Sequence, residues 1–96
     1  MNYYALIYDV VDDYVMRRTQ YREEHLRLAN EANRRGELLL GGAFTDPADR
    51  TLLIFHVKEK SIIEEFVKYD PYVINGLVTR WEIRQWNVVI GSPQLL

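Results

Sequence analysis

Two stretches, Tyr3-Tyr4-Ala5-Leu6-Ile7-Tyr8 and Thr51-Leu52-Leu53-Ile54-Phe55, are apolar at odd and even positions alike. A β-strand sends successive side chains to opposite faces, so such runs read as strands buried on both sides. A sheet built on them needs cover above and below. A chain of 96 residues buries only about two-thirds of the surface that its unfolded form exposes, which leaves room for one small core. Whatever covers the second face has to come from somewhere else.

The segments between these strands supply two helices. Tyr21, His25, Leu28 and Ala32 fall on one narrow stripe at about 100° per residue, with Glu23, Arg27, Asn30 and Arg34 opposite. The pattern predicts a helix from about Thr19 to Arg35, closed by Gly36 in the left-handed conformation. Before it, Asp12 or Asp13 caps a first helical turn through Val15 and Met16. Glu37 to Phe44 reads as a second strand, in which Gly41-Gly42 permits a bulge or the close approach of another group. The turn Thr45 to Arg50 joins it to the Thr51–Val57 strand as a hairpin, and His56 beside Lys58-Glu59-Lys60 reads as a solvated edge residue.

Ser61-Ile62-Ile63-Glu64 matches a capping box, which starts a helix at Ile62 that runs to about Tyr69 with Ile62, Ile63, Phe66, Val67 and Tyr69 facing inward. Asp70-Pro71 interrupts it, because proline disfavours helical geometry at the preceding residue and can open a new helix. A turn through Asn75-Gly76 leads into a fourth strand, Thr79 to Ile90, with a tryptophan on each side. Residues 1–91 read as one domain and 92–96 as a C-terminal tail, ordered only if a partner holds it.

The order β-α-β-β-α-β is the α+β, ferredoxin-like arrangement, a four-stranded antiparallel sheet with both helices on one face. The other face stays bare. An uncovered apolar face larger than a few hundred Å² marks an interaction surface, so the expected partner is a second copy packed sheet to sheet as a homodimer. A net charge of −2 with dispersed Lys and Arg lacks the footprint of a nucleic-acid binder. Nothing approaches the ~20 apolar residues of a membrane span, so a cytoplasmic protein with no membrane partner is expected. Cysteine is absent and the two histidines have no zinc-type spacing, so neither disulfide, metal nor other cofactor is expected.

The chemistry centres on His25, a titratable ring where a leucine would suit the stripe. In this fold the two helices lie side by side, so the inward stripe of the first reaches the end of the second, where Asp70 stands. A His within hydrogen-bond reach of a carboxylate is a proton-transfer unit. The bland alternatives are a satisfied core histidine and an Asp-Pro helix cap, and both stay open. No Cys exists and neither Ser61 nor Ser92 sits in a nucleophile elbow. Gly41-Gly42 lacks the residues of a phosphate loop. Arg22, one turn before His25, reaches an anionic substrate or pairs with Glu23 or another acidic neighbour, the ion pair being favoured. Tyr72 and Trp86 are core aromatics by default and pocket walls otherwise.

Arg22-x-x-His25-Leu26, Gly36 followed by Leu38-Leu39-Leu40-Gly41-Gly42, Asp70-Pro71-Tyr72 with Gly76, and Glu82-x-Arg84-x-Trp86 together resemble the YCII-like (YciI) family over residues 3 to 90. Ala43 departs from the proline that many members have after the two glycines. The resemblance implies a dimeric ferredoxin-like fold and an active site built on His25 and Asp70. It implies no particular reaction, although one characterised relative eliminates chloride from a chlorinated hydroxyhydroquinone. The expected function is a small cofactor-independent lyase or isomerase that moves a proton on a small, cyclic or aromatic substrate. Arg22, the Gly41 and Gly42 backbone and Tyr72 would hold that substrate. A module that binds a small ligand or a protein without turnover, and a purely structural dimer unit, are the competing readings.

Overall fold

In the computed structural model, which describes residues 1–91, the elements are β1 (Asn2–Val10), α1 (Tyr14–Arg17), a 3₁₀ turn (Arg18–Gln20), α2 (Arg22–Arg34), β2 (Leu38–Ala43), β3 (Arg50–Val57), α3 (Lys60–Tyr69), α4 (Pro71–Ile74) and β4 (Val78–Trp86). The four strands make one antiparallel sheet in the order β2-β3-β1-β4, which with α2 and α3 as crossovers is the ferredoxin-like βαββαβ arrangement. The tail expected at 92–96 lies outside the described residues.

Register decides which side chains share a face. Leu6 is paired with Leu53 on one side and Ile83 on the other, and Tyr4 with Phe55. Directly opposed residues point the same way, so these line the face under the helices, where Ala32 of α2 and Ile63, Phe66 and Val67 of α3 complete the core. The opposite face carries Tyr3, Ala5 and Ile7 of β1 with Leu52 and Ile54 of β3. Within this chain β1 is therefore buried on one side only, against the expectation of burial on both. Both helices cover the same face, so of the outer row only Ile54, flanked in register by Ala5 and Leu40, drops to 5% exposure.

Several boundaries move for identifiable reasons. β4 stops at Trp86 rather than Ile90, because Trp86 pairs with Tyr3 and β1 has almost no backbone left to pair with beyond it. α2 starts at Arg22 rather than Thr19, since Arg18–Gln20 forms a separate 3₁₀ turn. The helical turn expected through Val15 and Met16 is present as α1, but Asp13 at its N-cap position makes no side-chain capping bond. Gly36, at φ +78°, closes α2, and Glu37 N–H donates to Ala32 O while Gly36 N–H donates to Asn33 O, the pairing of a Schellman cap.

The capping box is not formed. α3 begins at Lys60, so Ser61 sits inside the first turn and donates to Glu59 Oε2 at 3.1 Å. Tyr69, expected inside, is 55% exposed. The register irregularity of β2 falls between Leu38 and Leu40, ahead of the glycines.

Candidate functional site

Asp70 occupies the joint between α3 and α4. Pro71 holds it extended, at φ −71° and ψ 118°, so that it ends one helix and caps the next. Its side chain is fully buried. A carboxylate in that position persists only if donors surround it. Three do: His25 Nδ1 lies 2.8 Å from Oδ1, the Tyr72 backbone N–H donates to the same oxygen at 3.0 Å, and the Tyr8 hydroxyl donates to Oδ2 at 2.8 Å.

Tyr8 is the functional residue that sequence reasoning missed. It comes from the middle of β1 on the helix-covered face, where its ring reads as one more apolar side chain. The available signal was its hydroxyl, since a buried phenol needs a polar partner. Burial above all, then the charge of Asp70 and the hydrogen bond to it, push its pKa far above the ordinary tyrosine range. It therefore serves as a fixed neutral donor.

His25 projects from the first turns of α2, its side chain 14% exposed. Facing a carboxylate, Nδ1 carries the proton, and Nε2 is the ring nitrogen left for a guest. One face of the ring lies flat on Tyr72, with centroids 3.8 Å apart and planes 9° from parallel. Tyr72 is in turn met edge-on by Tyr14 at 5.7 Å. Burial first, then Tyr14, raise the pKa of Tyr72, while Arg22 and Arg18 oppose the rise.

His25 opens into a cleft of about 440 Å³ bounded by α2, β2 and the inner strand β3. Arg22, Gly41, Gly42 and Tyr72, the expected substrate contacts, all border it, and so do Arg18 and Tyr14. The ion pair favoured for Arg22 is not found: among the described residues it faces no carboxylate within salt-bridge distance. Trp86 is 44% exposed on the opposite sheet face and does not line the cleft. Gly41 lies opposite Leu53 on the cleft side, where an added methyl would meet Leu53 Cγ at 3.4 Å, whereas one on Gly42 would meet nothing within 4 Å. Thr51 of β3 also borders the cleft, and its buried hydroxyl has no partner among the described residues, an omission that costs about 1–3 kcal/mol.

Tyr3 and His56 stack on the open face at 4.2 Å, well away from this constellation. Among the described residues no three His, Cys, Asp or Glu side chains are grouped to hold a metal ion, and no helix is long and apolar enough to cross a membrane.

The sequence pattern of the YCII-related domain matches residues 1–87. No curated protein matches the sequence. Among solved structures, the chain is similar to 5-chloro-2-hydroxyhydroquinone dehydrochlorinase from Burkholderia phenoliruptrix AC1100, determined in complex with 2,5-dihydroxybenzoquinone. That superposition has a TM-score of 0.75 and 15% identity, covering 88% of this chain and 93% of that one. A candidate antibiotic biosynthesis monooxygenase from Deinococcus radiodurans superposes with a TM-score of 0.56 and 13% identity over 96% of both chains. At such identities the likeness concerns the fold.

Proposed function

This chain belongs to the YCII-related domain family, and from that premise we propose that it is a small enzyme, working without a cofactor, that moves a proton on a small cyclic or aromatic substrate as a lyase or isomerase. His25 is the acid–base group and Asp70 its orienting carboxylate. The supporting observation is the 2.8 Å contact between His25 Nδ1 and a carboxylate wholly removed from solvent, beside a cleft large enough for one ring.

Nε2 takes a proton from an acidic C–H or O–H of the guest, and the imidazolium so formed is stabilised by Asp70. Both oxygens of Asp70 are already occupied by Tyr8, Tyr72 and His25, so the carboxylate orients the ring without taking the proton. The proton then returns to another position of the guest in an isomerisation. In an elimination it passes to solvent, and the leaving group departs with its bonding electrons. Arg22 and the backbone at Gly41 and Gly42 hold the guest's oxygens, and Tyr72 forms a wall. The dehydrochlorinase of the same fold acts on a hydroxylated ring, which makes hydroxyquinones the first probes to try.

The acting species is a homodimer joined through the open sheet face. Support for this comes from the apolar pair of Ile7 and Leu52, both partly exposed on the face that α2 and α3 leave free.

The test is proton NMR in deuterated buffer with 2,5-dihydroxybenzoquinone and 5-chloro-2-hydroxyhydroquinone, read as deuterium exchange at ring positions and as chloride release. The protein is expected to accelerate one of these by at least about 10²-fold, and His25→Asn to return it to background while keeping its circular dichroism. Equal rates for protein and buffer, with a probe that raises the melting temperature and is recovered unchanged, would overturn the enzyme reading in favour of a binding module.

A further inference from the structure

Two cations and, among the described residues, no carboxylate border the cleft that holds His25. Arg18 on the 3₁₀ turn and Arg22 at the first position of α2 both line it, with Asn30 and Asn33 further along, and no Asp or Glu does. The chain as a whole leans the other way, with 14 acidic residues against 12 basic. The side chains that border this concavity therefore carry positive charge, with the buried Asp70 carboxylate set behind His25, and low-dielectric walls focus the field of such groups.

Other arginines are engaged with carboxylates: Arg17 with Asp13, Arg27 with Glu24, Arg35 with Glu37, and both Arg50 and Arg80 with Asp9. Among the described residues Arg18, Arg22, Arg34 and Arg84 have no such partner, and of these four only Arg18 and Arg22 border the cleft. The Arg18 guanidinium lies 5.1 Å over the Tyr14 ring, a contact made through its face that leaves its N–H edge available. The rest of the wall is hydrocarbon from Leu26, Ala29, Leu38 and Leu53, with bare backbone at Gly41. Thr51, buried and with a hydroxyl that has no partner among the described residues, adds a further polar group to the lining.

A guanidinium is permanently charged, planar, and matched to a carboxylate by two parallel hydrogen bonds. We propose that the cleft selects a small organic acid, with its carboxylate or an equivalent charged oxygen on Arg18 and Arg22 and its hydrocarbon body along Leu38 and Leu53. A volume of about 440 Å³ suits a single ring or a short chain. The placement of the reacting atom at His25 Nε2 rests on the proton-transfer reading above, whereas the selection of charge rests on the two arginines alone.

The experiment is a thermal-shift and NMR titration of the full chain near neutral pH with benzoate and salicylate, each beside its uncharged amide, benzamide and salicylamide, at matched ionic strength. The acids are expected to bind at least about tenfold more tightly than the amides and to shift the His25 ring resonances, as charge-assisted bidentate contacts should. Arg18→Gln/Arg22→Gln is expected to reduce that preference below about twofold, the level of ordinary surface screening. Arg22→Gln alone, at an exposed position, is expected to reduce it part of the way and serves if the double variant does not fold. Equal binding of acids and amides, no binding of either at millimolar concentration, or a preference that survives the loss of both arginines would overturn the proposal. His25→Asn separates the two readings: it is expected to abolish proton exchange and to keep the preference for acids.

Discussion

His25 and Asp70 are 45 residues apart in the chain, yet Nδ1 of one lies 2.8 Å from Oδ1 of the other. The contact joins the first turns of α2 to the joint between α3 and α4, and through Tyr8 it also reaches the centre of the sheet. Three elements therefore share one carboxylate. Removing it strands three donors, two of them deep in the core. Asp70→Ala is expected to lower unfolding free energy by about 3–5 kcal/mol, the range for breaking a buried, hydrogen-bonded charge. Asp70→Asn is expected to recover about half of this, because the amide oxygen still accepts from His25 and Tyr72 while its NH₂ turns to the Tyr8 oxygen. Urea denaturation of both variants measures the difference, and equal losses would contradict the three-donor account.

His25 itself is expected to matter far more for chemistry than for folding. Its side chain is partly open to the cleft, and without it Asp70 keeps Tyr8 and the Tyr72 N–H. His25→Asn should therefore cost about 1–2 kcal/mol, which for a domain of this size lowers the melting temperature by roughly 4–15 °C. Proton exchange on the hydroxyquinone probes should fall by about 10²-fold or more. Calorimetry and NMR exchange read the two effects separately.

The element order, the His25 stripe and the Asp70-Pro71 joint were legible in the sequence because each rests on local rules: helical periodicity, a glycine cap, and the restriction that proline places on its neighbour. What local rules do not carry was less legible. The start of α3 depends on how soon after β3 the chain turns back, so Ser61 slipped from cap to first turn. The end of β4 depends on where β1 begins. The place of Tyr8 in the site depends on cross-sheet register, which sets a residue 62 positions away against Asp70. Arg22 looked like an ion-pair residue from its acidic sequence neighbours, but the helix turns those neighbours away from the cleft.

The two buried tyrosines give the protein an alkaline limit. Both Tyr8 and Tyr72 are held neutral above the ordinary value of about 10. As pH rises past that value the unfolded chain releases their protons while the folded chain keeps them, so the unfolded state binds fewer protons and stability falls. The stability contributed is fully present below about pH 10 and is lost on going higher. Tyr8→Phe is expected to cost about 1–3 kcal/mol at neutral pH by leaving Asp70 Oδ2 without its donor, and to make the alkaline decline shallower. Urea midpoints measured from neutral to strongly alkaline pH would show both effects, and parallel curves for wild type and variant would contradict the assignment.

Gly41 and Gly42 differ in what they do. By register Gly41 shares the cleft-side face with Leu53, and Gly42 pairs with Leu52 on the other side. Gly41→Ala places a methyl against Leu53 and into the cleft, so it is expected to weaken binding of the acid probes by about 3–10-fold while changing stability by less than about 1 kcal/mol. Gly42→Ala meets open space and is expected to leave binding unchanged. Isothermal titration with benzoate distinguishes them, and equal effects would mean that the strand's facing is not what shapes the cleft.

The open sheet face sets the oligomeric prediction. Ile7 of β1 lies between Leu52 of β3 and Glu82 of β4, so the face is apolar towards β2 and charged towards β4. Its end is marked by Asp9 with Arg50 and Arg80. A second copy related by a two-fold axis would lay the apolar half against its own equivalent and leave the charged half at the rim, the usual anatomy of a self-complementary interface. Such an interface needs to bury about 800 Å² per partner, which is within reach of a four-stranded sheet. Light scattering at micromolar concentration is expected to give twice the chain mass. Leu52→Lys puts an ammonium group into the apolar half between Ile7 and Gly42, where its register neighbours offer no carboxylate, and is expected to give a folded monomer, whereas Asp9→Asn at the rim leaves the dimer intact. A wild-type monomer under the same conditions would remove the dimer from the proposal and leave the His25 cleft to work within a single chain.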